Sequence, residues 1–475
     1  MPQSFAHFGF AKLEKLLGSD IISLSFFGTE IVVTSSMQTA TELFETRSAI
    51  YSDRSCPPAL GEPSLMNWGN FVGVIGYNDT WRKYRQMMHV WLNKKAAPAF
   101  HQSQQHQARL LLQRLLTGSD NLSASEELDL ELYSTIASNL LESIYGYQPR
   151  DTDDVFVIGM KDVALKFGIA AAPNIKVPEW LPGAGWKSKL REWGKQKDDI
   201  SDGLLSWTKS QMAAGNDNNS MVASFLKDSN KWGHTAEEVD AIIREVGVGL
   251  FGGGFLLLSL RRAAKDLRGR NYAQEELKRQ TVDTIVVFLL AMLLFPEVQA
   301  KAQKEIDMVV GTTRLPTMDD QPNLPYLGRL IQEVLRWQPV APLGIPHVCA
   351  KDDEYKGYRV PKGAIVAMSR DEQVYKDPET FNPDRYLDPN VPYIPAFGWG
   401  RRMCPGIHYA KSSLYISIAS LLAVFDISMH KDAAGQYITP TTEGAENTVA
   451  YHPKPFKIKF TARSLSHIEL VRKGA

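Results

Sequence analysis

Apolar and polar positions alternate early in the chain and then settle into a helical period. Ile21-Ile22-Ser23-Leu24-Ser25-Phe26-Phe27 and Glu30-Ile31-Val32-Val33-Thr34, joined through Gly28, predict a hairpin of β-branched and aromatic residues. From about Thr80 to about Leu335 the helical period dominates, with amphipathic stretches at Gln104–Leu116 and Val298–Val309. Strand signals return at Tyr358–Gly363, and the tail alternates again over Phe456–Phe460. No internal repeat or low-complexity linker divides the chain. The pattern predicts one domain over residues 1–475, mainly α with a smaller β region built from both chain ends.

Composition narrows the classes. With 475 residues, 44% of them hydrophobic, the chain has material for a large core. Lys plus Arg number 53 and Asp plus Glu number 53, so no global field favours nucleic acid, and any charge-guided docking is local. Cys56, Cys349 and Cys404 form no even or regularly spaced set, which points to a reducing compartment rather than a disulfide or zinc framework. Lys12, Glu14 and Lys15 interrupt the apolar stretch of Met1–Asp20, so neither a signal peptide nor a spanning helix is expected there. The apolar, uncharged stretch Val246–Leu260 falls short of the ~18 residues of a span and reads as a buried helix.

The chemistry-bearing segment is Phe397-Gly398-Trp399-Gly400-Arg401-Arg402-Met403-Cys404-Pro405-Gly406, followed by a helical pattern from Ile407 to Val424. A cysteine just ahead of a helix meets the positive end of its dipole and free amide donors, which favour the iron-binding thiolate. Gly400 and Gly406 leave room for backbone to approach a flat macrocycle and allow the dihedrals of a tight turn. Arg402, two residues before the sulfur, is placed to reach an acidic edge of the same group. For such a cysteine taken alone, a buried structural role is the plainer reading.

Phe-x-x-Gly-x-Arg-x-Cys-x-Gly, matched at every fixed position from Phe397 to Gly406, resembles the haem-binding signature of the cytochrome P-450 family. Glu333-Val334-Leu335-Arg336 resembles the family's Glu-x-x-Arg; by spacing alone it reads equally as a surface salt bridge on one helix face. Phe381-Asn382-Pro383-Asp384-Arg385-Tyr386 is similar to the Pro-Glu-Arg-Phe element, which implies that Arg385 completes a buried triad with Glu333 and Arg336. Trp81-Arg82-Lys83-Tyr84-Arg85 resembles Trp-x-x-x-Arg, implying an indole donor from Trp81 and a fixed charge from Arg85 for a haem propionate. A core tryptophan beside a solvated arginine is the alternative. His347 stands where the family often places a propionate-binding His or Arg, with a structural histidine as the alternative. The resemblance covers nearly the whole chain, and Val177–Gly185 looks like the access loop of fungal microsomal members.

Two segments depart from the family. Its long distal helix carries an acid and an alcohol that relay protons to oxygen. Here Glu237–Gly254 and Thr281–Leu294 look like the two halves of that helix, separated by the polar stretch Phe255–Gln280 with Arg261-Arg262 and Arg268-Gly269-Arg270. The stretch reads as an insertion at 255–280, either a tolerated surface loop or, the favoured hypothesis, a retained intron. Thr281 is the nearest candidate for the relay alcohol; Asp283-Thr284 falls too late in the motif. The second departure is at Val360–Ser369, where an Asn-x-Trp element is missing before Arg370-Asp371-Glu372.

The resemblance implies a cytochrome P-450 fold and a haem-thiolate monooxygenase that inserts one atom of O2 into a small to medium apolar substrate, in fungal secondary metabolism or xenobiotic oxidation. Cys404 is the expected iron ligand. Haem b contacts are expected from Arg402, Phe397, Gly400, Gly406, Trp81, Arg85 and His347. Electrons are expected from NADPH through NADPH-cytochrome P-450 reductase, docking on Arg82, Lys83, Lys94, Lys95 and Lys411, which read equally as a solvated face. Leu65–Phe71 and Pro178–Trp186 take wall and access positions. The cytosolic face of the endoplasmic reticulum is the expected location, with membrane association through the access loop; without an anchor, the cytosol is the alternative. Two other readings stay open: a catalytically impaired haem-binding product of an altered gene, and a haem-thiolate isomerase or dehydratase that needs no reductase.

Overall fold

A computed structural model of the chain describes residues 6–26, 28–117, 125–150, 154–171, 185–216, 219–229, 235–255, 283–368, 371, 374–444 and 451–473. Its strands are β1 (Ile21–Phe26), β2 (Thr29–Thr34), β3 (His347–Val348), β4 (Asp353–Tyr355), β5 (Tyr358–Val360), β6 (Ile365–Met368), β7 (Phe425–Met429) and β8 (Ile458–Ala462). The helices of the first half are α1 (Ala6–Leu17), α2 (Met37–Thr41), α3 (Pro58–Gly61), α4 (Asp79–Leu92), α5 (His101–Thr117), α6 (Ser125–Tyr145), α7 (Val155–Ala171), α8 (Trp186–Ala213) and α9 (Met221–Lys227). They are followed by α10 (Ala236–Phe255), α11 (Asp283–Leu294), α12 (Pro296–Val309), α13 (Pro325–Trp337), α14 (Ile407–Val424) and α15 (Leu465–Lys473).

The predicted hairpin forms, with Ile21 opposite Thr34 and Phe26 opposite Thr29. Gly28 supplies the positive φ of +77° that its turn requires. β2 pairs in parallel with β6, Ile31 opposite Ile365, and β6 pairs antiparallel with β3. The β region is thus built from both ends of the chain, as expected. Two strands differ from expectation. The strand expected at Tyr358–Gly363 stops at Val360, because Pro361 has no N–H for the ladder and Gly363 turns the chain at φ +87°. The tail strand runs from Ile458, not Phe456, in register with β7.

The main core lies among α5, α11, α12, α13 and α14. Every side chain from Ile285 to Leu293 is 3% exposed or less, so α11 is apolar all round because it is surrounded. α14 is the one helix among the described residues long and apolar enough to cross a membrane, but 67% of it is buried here, as in a core helix. Polar ties close the packing. The Gln299 amide donates to Ile427 O at 2.8 Å and accepts from Ile427 N at 2.7 Å, locking α12 to β7. The Glu305 carboxylate accepts the Tyr326 and Leu327 amides that the start of α13 leaves without intrahelical partners. A second apolar cluster joins α4, α6, α7, α9 and α10, and a third seats the loop around Leu65–Phe71 against α7, α8 and α10. The Val246–Leu260 stretch is helical as far as Phe255, with Val246, Val248 and Phe251 buried; the rest lies outside the described residues.

Candidate cofactor site around Cys404

The turn that presents Cys404 is closed by its own backbone. Cys404 N donates to Phe397 O at 2.8 Å, a single turn of 3-10 helix spans Gly400–Arg402, and α14 starts three residues after the sulfur. Gly400 has φ +50°, and a Cβ on it would lie 2.1 Å from Phe44 O, so the turn admits no side chain at this position. Gly406 does not need the freedom expected of it. Its φ is −85°, and it acts through its N–H, which faces the sulfur.

Cys404 itself is half-buried and free. The amide donor expected at the helix terminus is present, and in the protein alone burial works against it. Burial pushes the thiol pKa up, against the Gly406 amide and the Arg85 charge. Desolvation of the anion opposes those two, and a bound metal cation would favour the thiolate.

The expected partners gather on one side of the turn. Asn78 caps α4 by accepting from Trp81 N at 2.9 Å, which sets the helix phase. Trp81 and Arg85 share a face, with the Arg85 guanidinium 5.7 Å from the centre of the Trp81 ring and that of Arg402 at 4.5 Å. Arg402 donates from Nε to Ser52 O at 2.7 Å and from Nη2 to Ile75 O at 2.8 Å, while its buried Nη1 has no acceptor. Burial brings its pKa down to about 10, with Asp53 opposing and Arg85 adding to the effect. His347 is buried against the Phe44 ring, 4.4 Å between centroids, with Nδ1 2.5 Å from Tyr51 O. Burial and the nearby Arg54 and Arg402 push its pKa down to about 3.

Arg54 belongs to this group and was not among the residues expected from sequence. Its Nη1 bonds Ile345 O, its buried Nε has no acceptor, and burial together with Arg402 lowers its pKa to about 9. No spacing rule marks it, because Tyr51-Ser52-Asp53-Arg54 is an extended link. Two buried guanidinium donors with no acceptor beside a neutral imidazole fit an anion with several acceptor oxygens, as the two carboxylates of haem provide.

The triad is assembled away from this cluster. Glu333 is 0% exposed and Arg336 1%. Arg336 Nε lies 2.7 Å from Glu333 Oε2, and Arg385 Nε lies 2.9 Å from Glu333 Oε1. Arg336 also donates to Pro378 O at 2.8 Å, and Arg385 to Lys376 O at 2.7 Å, so the charges hold the loop between them. The surface-salt-bridge alternative for Glu333 and Arg336 is therefore excluded. Thr281 lies outside the described residues, as do the insertion beyond Phe255 and the access loop over 172–184. Asp283 is buried and paired with His452, which also faces Asp129 at 3.8 Å.

Of the basic residues expected on the cysteine side, Lys94 and Lys411 sit near each other. After burial, both help to depress the pKa of His408 between them. Arg82 is instead engaged with Asp79 and lies over the Tyr77 ring.

The cytochrome P-450 family model matches residues 280–460. A Postia placenta protein named cytochrome P-450 monooxygenase 98 is 36% identical, over 98% of this chain and 88% of its own length. Cytochrome P-450 monooxygenase claR of Ampulloclitocybe clavipes is 34% identical, over 95% of this chain and 82% of its own. A zebra fish cytochrome P-450 solved with progesterone superposes with a TM-score of 0.77 at 22% identity, covering 96% of this chain and 99% of that one, and so shares the fold. With relatives at this identity along nearly its whole length, the chain belongs to the cytochrome P-450 family.

Proposed function

We propose that Cys404 would supply the sulfur ligand to the iron of haem b, and that Trp81, Arg85, Arg402, His347 and Arg54 would hold its carboxylates. The enzyme is a haem monooxygenase that takes electrons from NADPH through a reductase. What carries the residue assignment is the pair of buried donors without acceptors, Arg402 Nη1 and Arg54 Nε, linked through Arg85 to the sulfur. When bound, haem supplies the redox chemistry that places one atom of O2 in the substrate and releases the other as water. The chain supplies the rest. The Phe397–Gly406 turn aims the sulfur, the arginines would fix the cofactor edge, and the buried triad holds the loop around Lys376–Thr380. Phe397, at the start of that turn, packs against the main core, with Lys411 5.9 Å from its ring centre.

The substrate is proposed to be small to medium and apolar, bounded by the loop at Leu65–Phe71, Phe167 of α7 and Val248 of α10, since these side chains form one apolar cluster. NADPH-cytochrome P-450 reductase is the proposed partner, approaching Lys94, Lys411 and their neighbours, and the cytosolic face of the endoplasmic reticulum is the proposed location. Thr281 is retained as the proposed relay alcohol.

A second reading is supported by the stretch Phe255–Gln280, which in sequence separates two segments resembling the halves of the family's distal helix: a retained intron that leaves a haem-binding but impaired product. The family model takes up its match at residue 280, where this stretch ends, and relatives align on both sides of it. Expressing the chain with and without 255–280 tests both readings. The expected result is a thiolate-type ferrous carbon monoxide spectrum in both forms, with NADPH-dependent product formation restored or increased in the shorter one. Full activity in the longer form refutes the impaired reading, and loss of thiolate ligation in both refutes the role of Cys404.

A further inference from the structure

The loop that carries Trp68 and Phe71 is held from outside by one buried cation. Lys197 of α8 is 4% exposed and donates to Asn67 O at 2.8 Å. Its ammonium lies 3.1 Å from Asp198, 3.5 Å from Glu245 of α10 and 5.6 Å from the centre of the Trp68 ring. Asn67 takes a left-handed φ of +54°, which asparagine tolerates better than other residues with a side chain, and so turns the loop at the point where Lys197 holds it. One turn earlier on the same face of α8, Gly194 lets the loop pack so close that a Cβ would lie 2.5 Å from Leu65 O. α8 therefore grips the loop at two adjacent points.

Beyond Asn67 the chain delivers its aromatic side chains inward. Trp68 and Phe71 pack edge-on to each other and to Phe167 of α7, at centroid separations of 5.3, 4.7 and 5.4 Å. A Cβ on Gly249 of α10 would touch Phe71 at 3.3 Å. Outside the grip lies a half-open cleft of about 350 Å³ lined by Asn67, Asn70, Tyr84, Lys197 and Glu245. Burial raises the pKa of Glu245, and the Lys197 ammonium beside it opposes the rise.

We propose that Lys197 is a specificity-determining positioning residue, whose bond to Asn67 O fixes Trp68 and Phe71 as a rigid wall of the substrate pocket. The proposal rests on the reading of that loop as pocket wall. It assigns Lys197 no contact with substrate. Its effect is to spare the substrate the cost of ordering the wall on binding. Ligands large enough to press on Trp68 and Phe71 depend on Lys197, and small ones do not.

Lys197→Met keeps the aliphatic stem and removes the donor, and Lys197→Arg keeps a donor. In the haem-loaded chain, hydrogen exchange in peptides spanning residues 62–72 is expected to quicken about tenfold in Lys197→Met, the factor one charge-assisted hydrogen bond supplies. Peptides from α13 stay unchanged. Dissociation of phenylimidazole, whose phenyl ring extends it beyond imidazole, is expected to quicken by a similar factor while that of imidazole does not. Lys197→Arg is expected to restore both. Unchanged exchange in the loop, or equal effects on the two imidazoles, overturns the proposal. A chain that takes up no haem overturns the cofactor reading instead, and loop exchange in the protein alone then decides the role of Lys197.

Discussion

Arg385 reaches Glu333 across 52 positions of sequence, Nε 2.9 Å from Oε1, at a carboxylate with no exposed surface. Arg336 shares the same carboxylate. Glu333→Gln leaves two buried guanidinium groups without a counter-charge, which costs about 3–5 kcal/mol by the measure of broken buried pairs. Urea unfolding of the variant is expected to show the loss. A midpoint equal to that of the parent would remove the triad from the account of what holds this fold together.

His347 gives the haem-free protein an acid-sensitive term. Its pKa falls to about 3 in the folded chain, through burial and then the Arg54 and Arg402 charges. The unfolded imidazole takes up a proton near pH 6.5 and the folded one does not, so its stabilisation is complete above 6.5 and lost as pH drops toward 3. At pH 5 the loss amounts to about 2 kcal/mol. Unfolding measured at pH 7 and pH 5 should differ by that much less in His347→Gln. An unchanged pH dependence shows the ring to be solvated.

Arg54 and Arg402 each hold one donor in reserve. Replacing either with Met is expected to speed haem transfer to an acceptor such as apomyoglobin by about 10- to 100-fold, the range for a charge-assisted hydrogen bond. Haem dimethyl ester, which lacks the carboxylate charges, provides the control. The variants and the parent are expected to lose it at similar rates, and an equal effect of the substitutions on haem and ester would place both arginines elsewhere in the account.

Two glycines with positive φ separate backbone strain from crowding. Gly435, φ +81°, has nothing within 4 Å of an added Cβ, whereas Gly400, φ +50°, would drive one against Phe44 O. Gly435→Ala should cost about 1 kcal/mol, the lower end for a strained non-glycine residue. Gly400→Ala must also move Phe44 or the turn. It is expected to lose more in thermal unfolding and to bind haem more weakly. Equal losses in the two variants would mean that the turn gives way freely.

The sequence exposed those parts of the site that spacing can encode. Cys404, Arg402, Trp81 and Arg85 lie in contiguous motifs, and the α14 boundaries follow its apolar pattern from Ile407 to Val424. Glu333 and Arg336 looked the same as a surface pair, because helical spacing does not record burial; only Arg385, from a distant loop, takes them inside. Arg54 was invisible for a related reason, since its partners Ile345, His347 and Arg402 are brought to it by tertiary structure alone. At Cys404 the helix terminus acts locally and desolvation does not, so the Gly406 amide pulls the thiol pKa down while burial pushes it up.

The parallel pairing of β2 with β6 sets an order on synthesis as well as on structure. A ribosome delivers Ile31 near the start of translation and Ile365 only after most of the chain has emerged, so one side of the early ribbon waits with open amide and carbonyl groups. A product released too soon keeps that adhesive side permanently, and premature termination then yields aggregates as well as a missing enzyme.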